Sequence, residues 1–276
     1  MESAPTDMRC YPVFFMEFIP TGLKLMNKKT GKVWLAWLHL RAVVYWLGIA
    51  LFSIPHNSTL FFTRRILPMP VHYRWATLWN RFNIFWLELI CGVTCRVEGM
   101  ENIPDQPCIA FAKHQSTWET IKLPILLPPQ VWVAKRELLK IPFFGWALAS
   151  LEPIAIDRSA GRKAIVQMIR QGRERLDGGR WIVVFPEGTR VEPGKKVKYK
   201  MGGAILAEKM GVPLVPVAHN AGEFWPRHSF IKWPGVITVS IGPPIYTEGK
   251  KAAEINAEAE DWIENKMDEI TTLKEE

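Results

Sequence analysis

Two stretches of the 276-residue sequence carry side chains whose types and spacing could do chemistry. The first is Lys113-His114-Gln115-Ser116-Thr117-Trp118-Glu119, directly after the apolar run Cys108–Ala112. Near neutral pH an imidazole is the natural general base, and a carboxylate on its other nitrogen fixes tautomer and orientation. On one continuous helix His114 and Glu119 would point about 140° apart. They meet if His114 stays in a loop and Glu119 enters the first helical turn, with Ser116 as N-cap and the helix starting at Thr117. The same residues also read as a capping box, Ser116-x-x-Glu119, whose carboxylate turns back to a backbone N–H and has no catalytic task. Six His and 27 acidic residues give roughly 0.6 such H-x4-[DE] pairs by chance, so this spacing alone does not decide between the two.

The second stretch is Pro186-Glu187-Gly188-Thr189-Arg190, after the apolar run Trp181–Phe185. Arg190 can hold a phosphate in fork geometry, Thr189 offers a hydroxyl, and Gly188 lets backbone N–H groups approach an anion. The alternative is a plain turn with a surface ion pair between Glu187 and Arg190. The lysines of Lys195-Lys196-Val197-Lys198-Tyr199-Lys200 either form a solvated loop or steer an anionic lipid or acidic carrier protein. There is no G-x-S-x-G elbow, and Ser116 has no separate base beside it, so a serine hydrolase is set aside.

Positioning these groups requires a sheet. From Val93 onward short apolar runs alternate with helical segments. The expected strands are Cys108–Ala112, Val131–Ala134, Pro153–Ile156, Trp181–Phe185, Leu214–Ala218 and Val236–Ile241. The clearest helices are Gly161–Leu176, Met201–Met210 and the acidic, amphipathic Ala252–Glu269. This alternation predicts an α/β fold with a largely parallel mixed sheet flanked by helices. In such sheets function lies beyond the carboxyl ends of strands, where both stretches fall.

Residues 1–92 read differently. The first 20 lack the basic start of a secretory signal. Lys24, Lys28, Lys29 and Lys32 precede an apolar stretch, Val33–Phe52, whose uninterrupted part Ala42–Ile54 is short for a membrane span. Pro55-His56-Asn57-Ser58 reads as a turn, then Leu60-Phe61-Phe62 and Arg64-Arg65 follow. Arg74–Cys91 is a helix-length stretch dense in Trp and Phe. Together these predict an aromatic, basic, membrane-docking helical hairpin, with a buried helix pair and a single span as the alternatives. The expected division is a membrane-associated region, 1–92, and an α/β domain, 93–276.

Composition narrows the partners. Hydrophobic residues at 48% and charged residues at 22% exclude a disordered chain. No second 20-residue apolar run exists, which excludes a polytopic membrane protein. The net charge of +8 is uneven: residues 250–276 carry −5 and residues 1–249 carry +13, which points to an anionic partner. With no RNP-like motif, zinc finger or basic heptad, no nucleic-acid partner is expected. Cys10, Cys91, Cys95 and Cys108 match no zinc spacing and are too few for a disulfide scaffold, so neither a metal nor a cofactor is expected and the compartment reads as reducing.

Four blocks occur in order: His114-x4-Glu119, Phe143-Phe144-Gly145-Trp146 leading to Ile156-Asp157-Arg158, Phe185–Arg190, and Val212-Pro213-Leu214-Val215-Pro216-Val217. In that combination the sequence resembles the glycerolipid acyltransferases, most of all bacterial 1-acylglycerol-3-phosphate acyltransferases. The resemblance implies acyl transfer from acyl-CoA or acyl-carrier protein to the sn-2 hydroxyl of lysophosphatidate, giving phosphatidate, at the cytoplasmic face of a bacterial inner membrane. It implies that His114 deprotonates the acceptor hydroxyl and that Glu119 orients it. Glu187, Gly188, Thr189 and Arg190 match the glycerol-phosphate block, and Arg158 a further phosphate contact. The commonest family pattern has Asp where Glu119 stands, a carboxylate longer by one methylene. Two other functions stay open at this stage: the same chemistry on another lysolipid, or non-catalytic lipid binding.

Overall fold

The structure is a computed structural model that describes residues 31–157 and 160–273. Arg158 and the basic run at Lys24, Lys28 and Lys29 lie outside the described residues. Two long helices come first, α1 (Lys32–Ile66) and α2 (Met69–Cys91). The turn expected at Pro55–Ser58 is absent: Pro55 sits inside α1. The hydroxyls of Ser58 and Thr59 donate back to the carbonyls of Ile54 and His56 at 2.8 and 2.7 Å, so residues that favour turns are absorbed into the helix. The chain reverses instead at Leu67-Pro68, because a residue before proline is pushed out of the helical region; Leu67 has ψ of 142°. Helix α2 ends at Gly92, which takes the left-handed conformation (φ 66°) and returns its N–H to the Glu88 carbonyl at 2.9 Å.

The two helices pack side by side and exchange polar contacts through indole N–H groups. Trp79 donates to Ser53 at 2.7 Å, Trp75 to Thr59 at 2.9 Å, and Trp86 to the Tyr45 carbonyl at 3.2 Å. One face of α1 is buried through Leu38, Ala42, Tyr45, Ile49 and Leu60, while Leu47, Leu51 and Ile54 point outward and are exposed. Among the described residues α1 is the one helix long and apolar enough to cross a membrane, and its exposed apolar face marks the chain as membrane-associated.

The sheet has seven strands: β1 (Val93–Glu98), β2 (Ile109–Ala112), β3 (Gln130–Lys135), β4 (Ile154–Ile156), β5 (Trp181–Val184), β6 (Leu214–His219) and β7 (Gly235–Ile241). Their order is β1-β7-β6-β2-β5-β3-β4. All neighbours are parallel except β6 and β7. Strand β1, half exposed at the sheet edge, was not among the expected strands; its T-C-R-V-E run is too polar to read as an apolar segment. The central strands β2, β5 and β6 are buried along their whole length, as continuous apolar runs covered on both faces should be.

Side chains alternate between two cores. Ala110, Ala112, Trp181 and Val183 face Leu87 of α2 and Trp118 of α3 (Trp118–Leu126). Ile109, Phe111, Ile182 and Val184 face α5 (Arg162–Asp177), α6 (Gly202–Met210) and α8 (Ala252–Ile270) through Met168, Leu206 and Ile255. Short helices α4 (Phe144–Ser150) and α7 (Ala221–Phe224) complete the set.

The α1–α2 pair is fastened at both ends. At one end Lys232 is buried with its ammonium 3.8 Å from the Trp46 ring centre, 4.5 Å from Tyr45 and 4.8 Å from Trp225. It donates to the Phe230 carbonyl at 2.9 Å. Burial pulls its pKa down to about 7, and the aromatic faces stand in for lost hydration. At the other end Arg64 pairs with Glu152, which also takes Arg180 at 2.9 Å.

Candidate active site

Strands β2 and β5 are parallel neighbours with Phe111 opposite Val184, so the loops that leave them emerge side by side at one sheet edge. This register alone brings His114 against the Phe185–Arg190 loop. The His114 ring stacks on Phe185, with centres 4.1 Å apart and planes 16° apart. Its carbonyl accepts the Val191 N–H at 2.8 Å. The two stretches singled out in the sequence therefore form one surface.

His114 stays in the loop and Glu119 enters the first turn of α3, whose N-cap is Thr117, one residue later than expected. Ser116 still caps, accepting the Trp118 N–H at 3.2 Å. Glu119 is fully buried. Its Oε1 lies 2.7 Å from His114 Nδ1 and accepts the N–H groups of Gln115 at 3.0 Å and Ser116 at 2.9 Å. This carboxylate therefore makes both the backbone bonds of a capping residue and the bond to the imidazole: the loop N–H groups fix Glu119, and Glu119 fixes the ring. Burial alone would raise its pKa, but the His114 hydrogen bond and the Ser116 N–H outweigh it and hold the carboxyl below its usual range. An ionised Glu119 accepts from Nδ1–H, which leaves Nε2 as the basic nitrogen.

Behind His114 lies a second, buried layer. His219 donates from Nε2 to the Lys113 carbonyl at 2.7 Å and accepts the Ala221 N–H on Nδ1 at 3.3 Å, the pattern of a neutral ring. Lys113 is buried with its ammonium 2.5 Å from Glu264 and 3.5 Å from Glu187, and Tyr199 donates to the same Glu264 oxygen at 2.8 Å. Glu187 also accepts the His114 N–H at 3.2 Å. Burial pushes its carboxyl above the usual range against the pull of Lys113. The surface ion pair between Glu187 and Arg190 does not form; Glu187 turns inward and does not line the cavity described next.

A cavity of about 700 Å³ opens beside His114. It is lined by His114, Gly188, Thr189, Arg190 and Arg227 and by apolar side chains from the helix pair (Leu60, Ala76, Trp79), α3 (Ile121) and α4 (Leu148). Gly188 has φ of 71°, a left-handed backbone that favours glycine. Arg227 donates to the Arg190 carbonyl at 3.2 Å. Arg227 and Lys135 also line the cavity and were not singled out in the sequence. Lys135 follows from the parallel sheet, since it ends β3 on the same edge as His114, whereas Arg227 lies in the loop after α7 and reaches the site beside Arg190. Lysines 195 and 196 are taken up by Glu192 and Asp268, at 2.6 and 2.7 Å.

Comparison with known proteins agrees with this geometry. The Acyltransferase family model matches residues 94–220, which hold both stretches. A 1-acyl-sn-glycerol-3-phosphate acyltransferase of Pseudomonas aeruginosa is 43% identical over 240 residues, 86% of this chain and 93% of the relative. The alpha 1-acyl-sn-glycerol-3-phosphate acyltransferase of Bos taurus is 31% identical over 71% of this chain and 68% of its own. The crystal structure of the acyltransferase PlsC from Thermotoga maritima superposes with a TM-score of 0.71 over 86% of this chain and 97% of that one, at 24% identity, and so shares the fold. The chain belongs to the acyltransferase family, among the 1-acyl-sn-glycerol-3-phosphate acyltransferases.

Proposed function

We propose that the protein transfers an acyl group from a thioester, acyl-CoA or acyl-carrier protein, to the sn-2 hydroxyl of 1-acylglycerol-3-phosphate. The products are phosphatidate and a free thiol. The observation that carries this reading is the opening of the His114–Glu119 pair onto the cavity that also presents Arg190 and Arg227. His114 Nε2 takes the proton of the acceptor hydroxyl as its oxygen attacks the thioester carbonyl. The tetrahedral adduct collapses, the C–S bond breaks, and the imidazolium returns the proton to the departing thiolate. Glu119 remains ionised and stabilises the imidazolium. The substrate supplies the nucleophilic oxygen, so no acyl-enzyme is needed.

Arg190, Thr189 and the Gly188 backbone bind the phosphate in this reading, with Arg227 beside them. Glu187 supports the site from behind by holding Lys113 and the His114 N–H. Arg158 is a further phosphate contact by resemblance. The apolar part of the cavity lining receives an acyl chain.

Membrane docking supports the same assignment. Helix α1 touches Trp233 through Leu38 and Ala147 through Leu60, points about 33 Å apart at 1.5 Å per residue. A helix held to one sheet domain over that length lies along it, which favours monotopic docking through its outer face over a single span. We assign residues 1–92 to this docking region, residues 93–276 to the catalytic domain, and the protein to the cytoplasmic face of a bacterial inner membrane, where thioester donors are available. The test is an acceptor panel with purified protein. Product from lysophosphatidate and none from lysophosphatidylcholine is expected; the reverse preference would reject the phosphate assignment.

A further inference from the structure

The sheet domain has an apolar surface of its own. Between residues 138 and 146 five large side chains, Leu138, Ile141, Phe143, Phe144 and Trp146, are each between 36% and 47% exposed. Such a cluster is larger than scattered surface hydrophobics require. Phe143 has φ of 61°, an unfavourable backbone for an aromatic residue, and its ring lies 5.3 Å from that of Trp146. Trp146 in turn lies 6.5 Å from Phe61 of α1, so the patch continues directly into the exposed end of the helix pair. Exposed Arg65, Arg136 and Lys140 border it. An apolar, aromatic centre with a basic rim is the pattern that meets an anionic bilayer surface. Leu138 and Phe144 also line the cavity, so the patch forms part of its rim.

We propose that segment 138–146 is a second membrane-inserting element, and that it forms with the end of α1 a doorway by which the lysolipid passes from the leaflet into the cavity. The docking stands on exposure and continuity; the doorway rests on the reaction proposed above. An apolar rim set into the leaflet spares the acyl chain a passage through water, and the basic border holds the phosphate at headgroup depth. The helix pair is the main anchor; this segment adds to it and fixes which way the cavity faces.

Two measurements on the full chain decide it. Trp146→Phe removes one of 13 tryptophans, so the difference between wild-type and variant emission isolates Trp146. On phosphatidylcholine–phosphatidylglycerol vesicles with brominated acyl chains, that difference signal should be quenched by the lipid and shielded from aqueous iodide. Quenching by iodide and not by bromolipid would overturn the docking. The second variant combines Phe143→Ser with Trp146→Ser, two residues outside the cavity lining. Its vesicle affinity should fall about tenfold as two aromatic surfaces lose their burial. Its KM for long-chain lysophosphatidate in vesicles should rise, while turnover of a short-chain, water-soluble lysophosphatidate should match wild type. An unchanged KM in vesicles, or equal losses on both substrates, would overturn the doorway. Absence of wild-type turnover on either substrate would reject the reaction itself, and the quenching result would still decide the docking.

Discussion

The carbonyl of Lys113 accepts the Nε2–H of His219 at 2.7 Å, so the residue directly before His114 is tied to the end of a neighbouring strand. Nδ1 of the same ring accepts the Ala221 N–H at 3.3 Å, and the two bonds together need a neutral His219 in one tautomer. Burial supplies that condition by holding its pKa below the ordinary 6.5. Two histidines at one sheet edge therefore differ in setting: His219 is buried and uncharged and fixes the loop, while His114 is held at Nδ1 by Glu119 and opens onto the cavity.

This arrangement predicts a stepwise acid sensitivity. His219 is depressed, so the unfolded chain takes its proton first; its contribution is complete above pH 6.5 and is lost as pH falls below it. Glu119 is depressed below 4.5, so its contribution is present above that value and is lost as pH falls through the lower folded value. Thermal unfolding followed against pH should show Tm declining below pH 6.5 in wild type. His219→Gln should flatten that first decline; an unchanged slope would contradict the neutral role.

Glu119→Gln keeps an acceptor for the loop N–H groups but removes the charge that favours the imidazolium. The expected loss is about 10²- to 10⁴-fold in kcat with KM little changed. Steady-state kinetics on folded variant protein check this. A rise in KM alone would mean that Glu119 serves only to cap α3.

Arg190→Lys retains a positive charge but loses the fork geometry. A loss of about 10- to 100-fold in kcat/KM is expected, in line with a charge-assisted bond of about 1.5–3 kcal/mol. The loss should shrink on an acceptor lacking the phosphate. Equal losses on both acceptors would argue against phosphate binding by Arg190.

Much of this site was legible in the sequence because it depends on short-range order. His114 and Glu119 are five residues apart, and a loop followed by one helical turn suffices to join them. Their union with Gly188, Thr189 and Arg190 followed from placing both stretches at strand ends. The second layer was not legible. Lys113 meets Glu264 across 151 residues, and no local pattern in the acidic tail distinguishes Glu264 from its exposed neighbours. Arg227 was hidden for a similar reason, sitting in a long loop with no motif of its own. In the fold, Pro55 misled because proline and three polar neighbours favour a turn, whereas packing along the whole of α1 kept the helix intact. The edge strand β1 failed to register because only alternate residues needed to be apolar.

The buried cation behind the site sets a stability prediction. Lys113→Met leaves the carboxylates of Glu187 and Glu264 buried without their counter-charge. Breaking such a pair costs about 3–5 kcal/mol. Urea unfolding should show a large fall in midpoint with the slope retained. A midpoint within error of wild type would mean that the network contributes nothing net.

If His114 is the base for acyl transfer to a lysophosphatidate hydroxyl, removing its imidazole stops the reaction. Wild type and His114→Ala, in detergent and matched for folding, should be given lysophosphatidate and a long-chain acyl-CoA, with phosphatidate measured by mass spectrometry. Product from wild type and a loss of at least about 10²-fold in the variant is the expected result. Equal product from both would contradict the assignment of His114, whatever else the cavity binds.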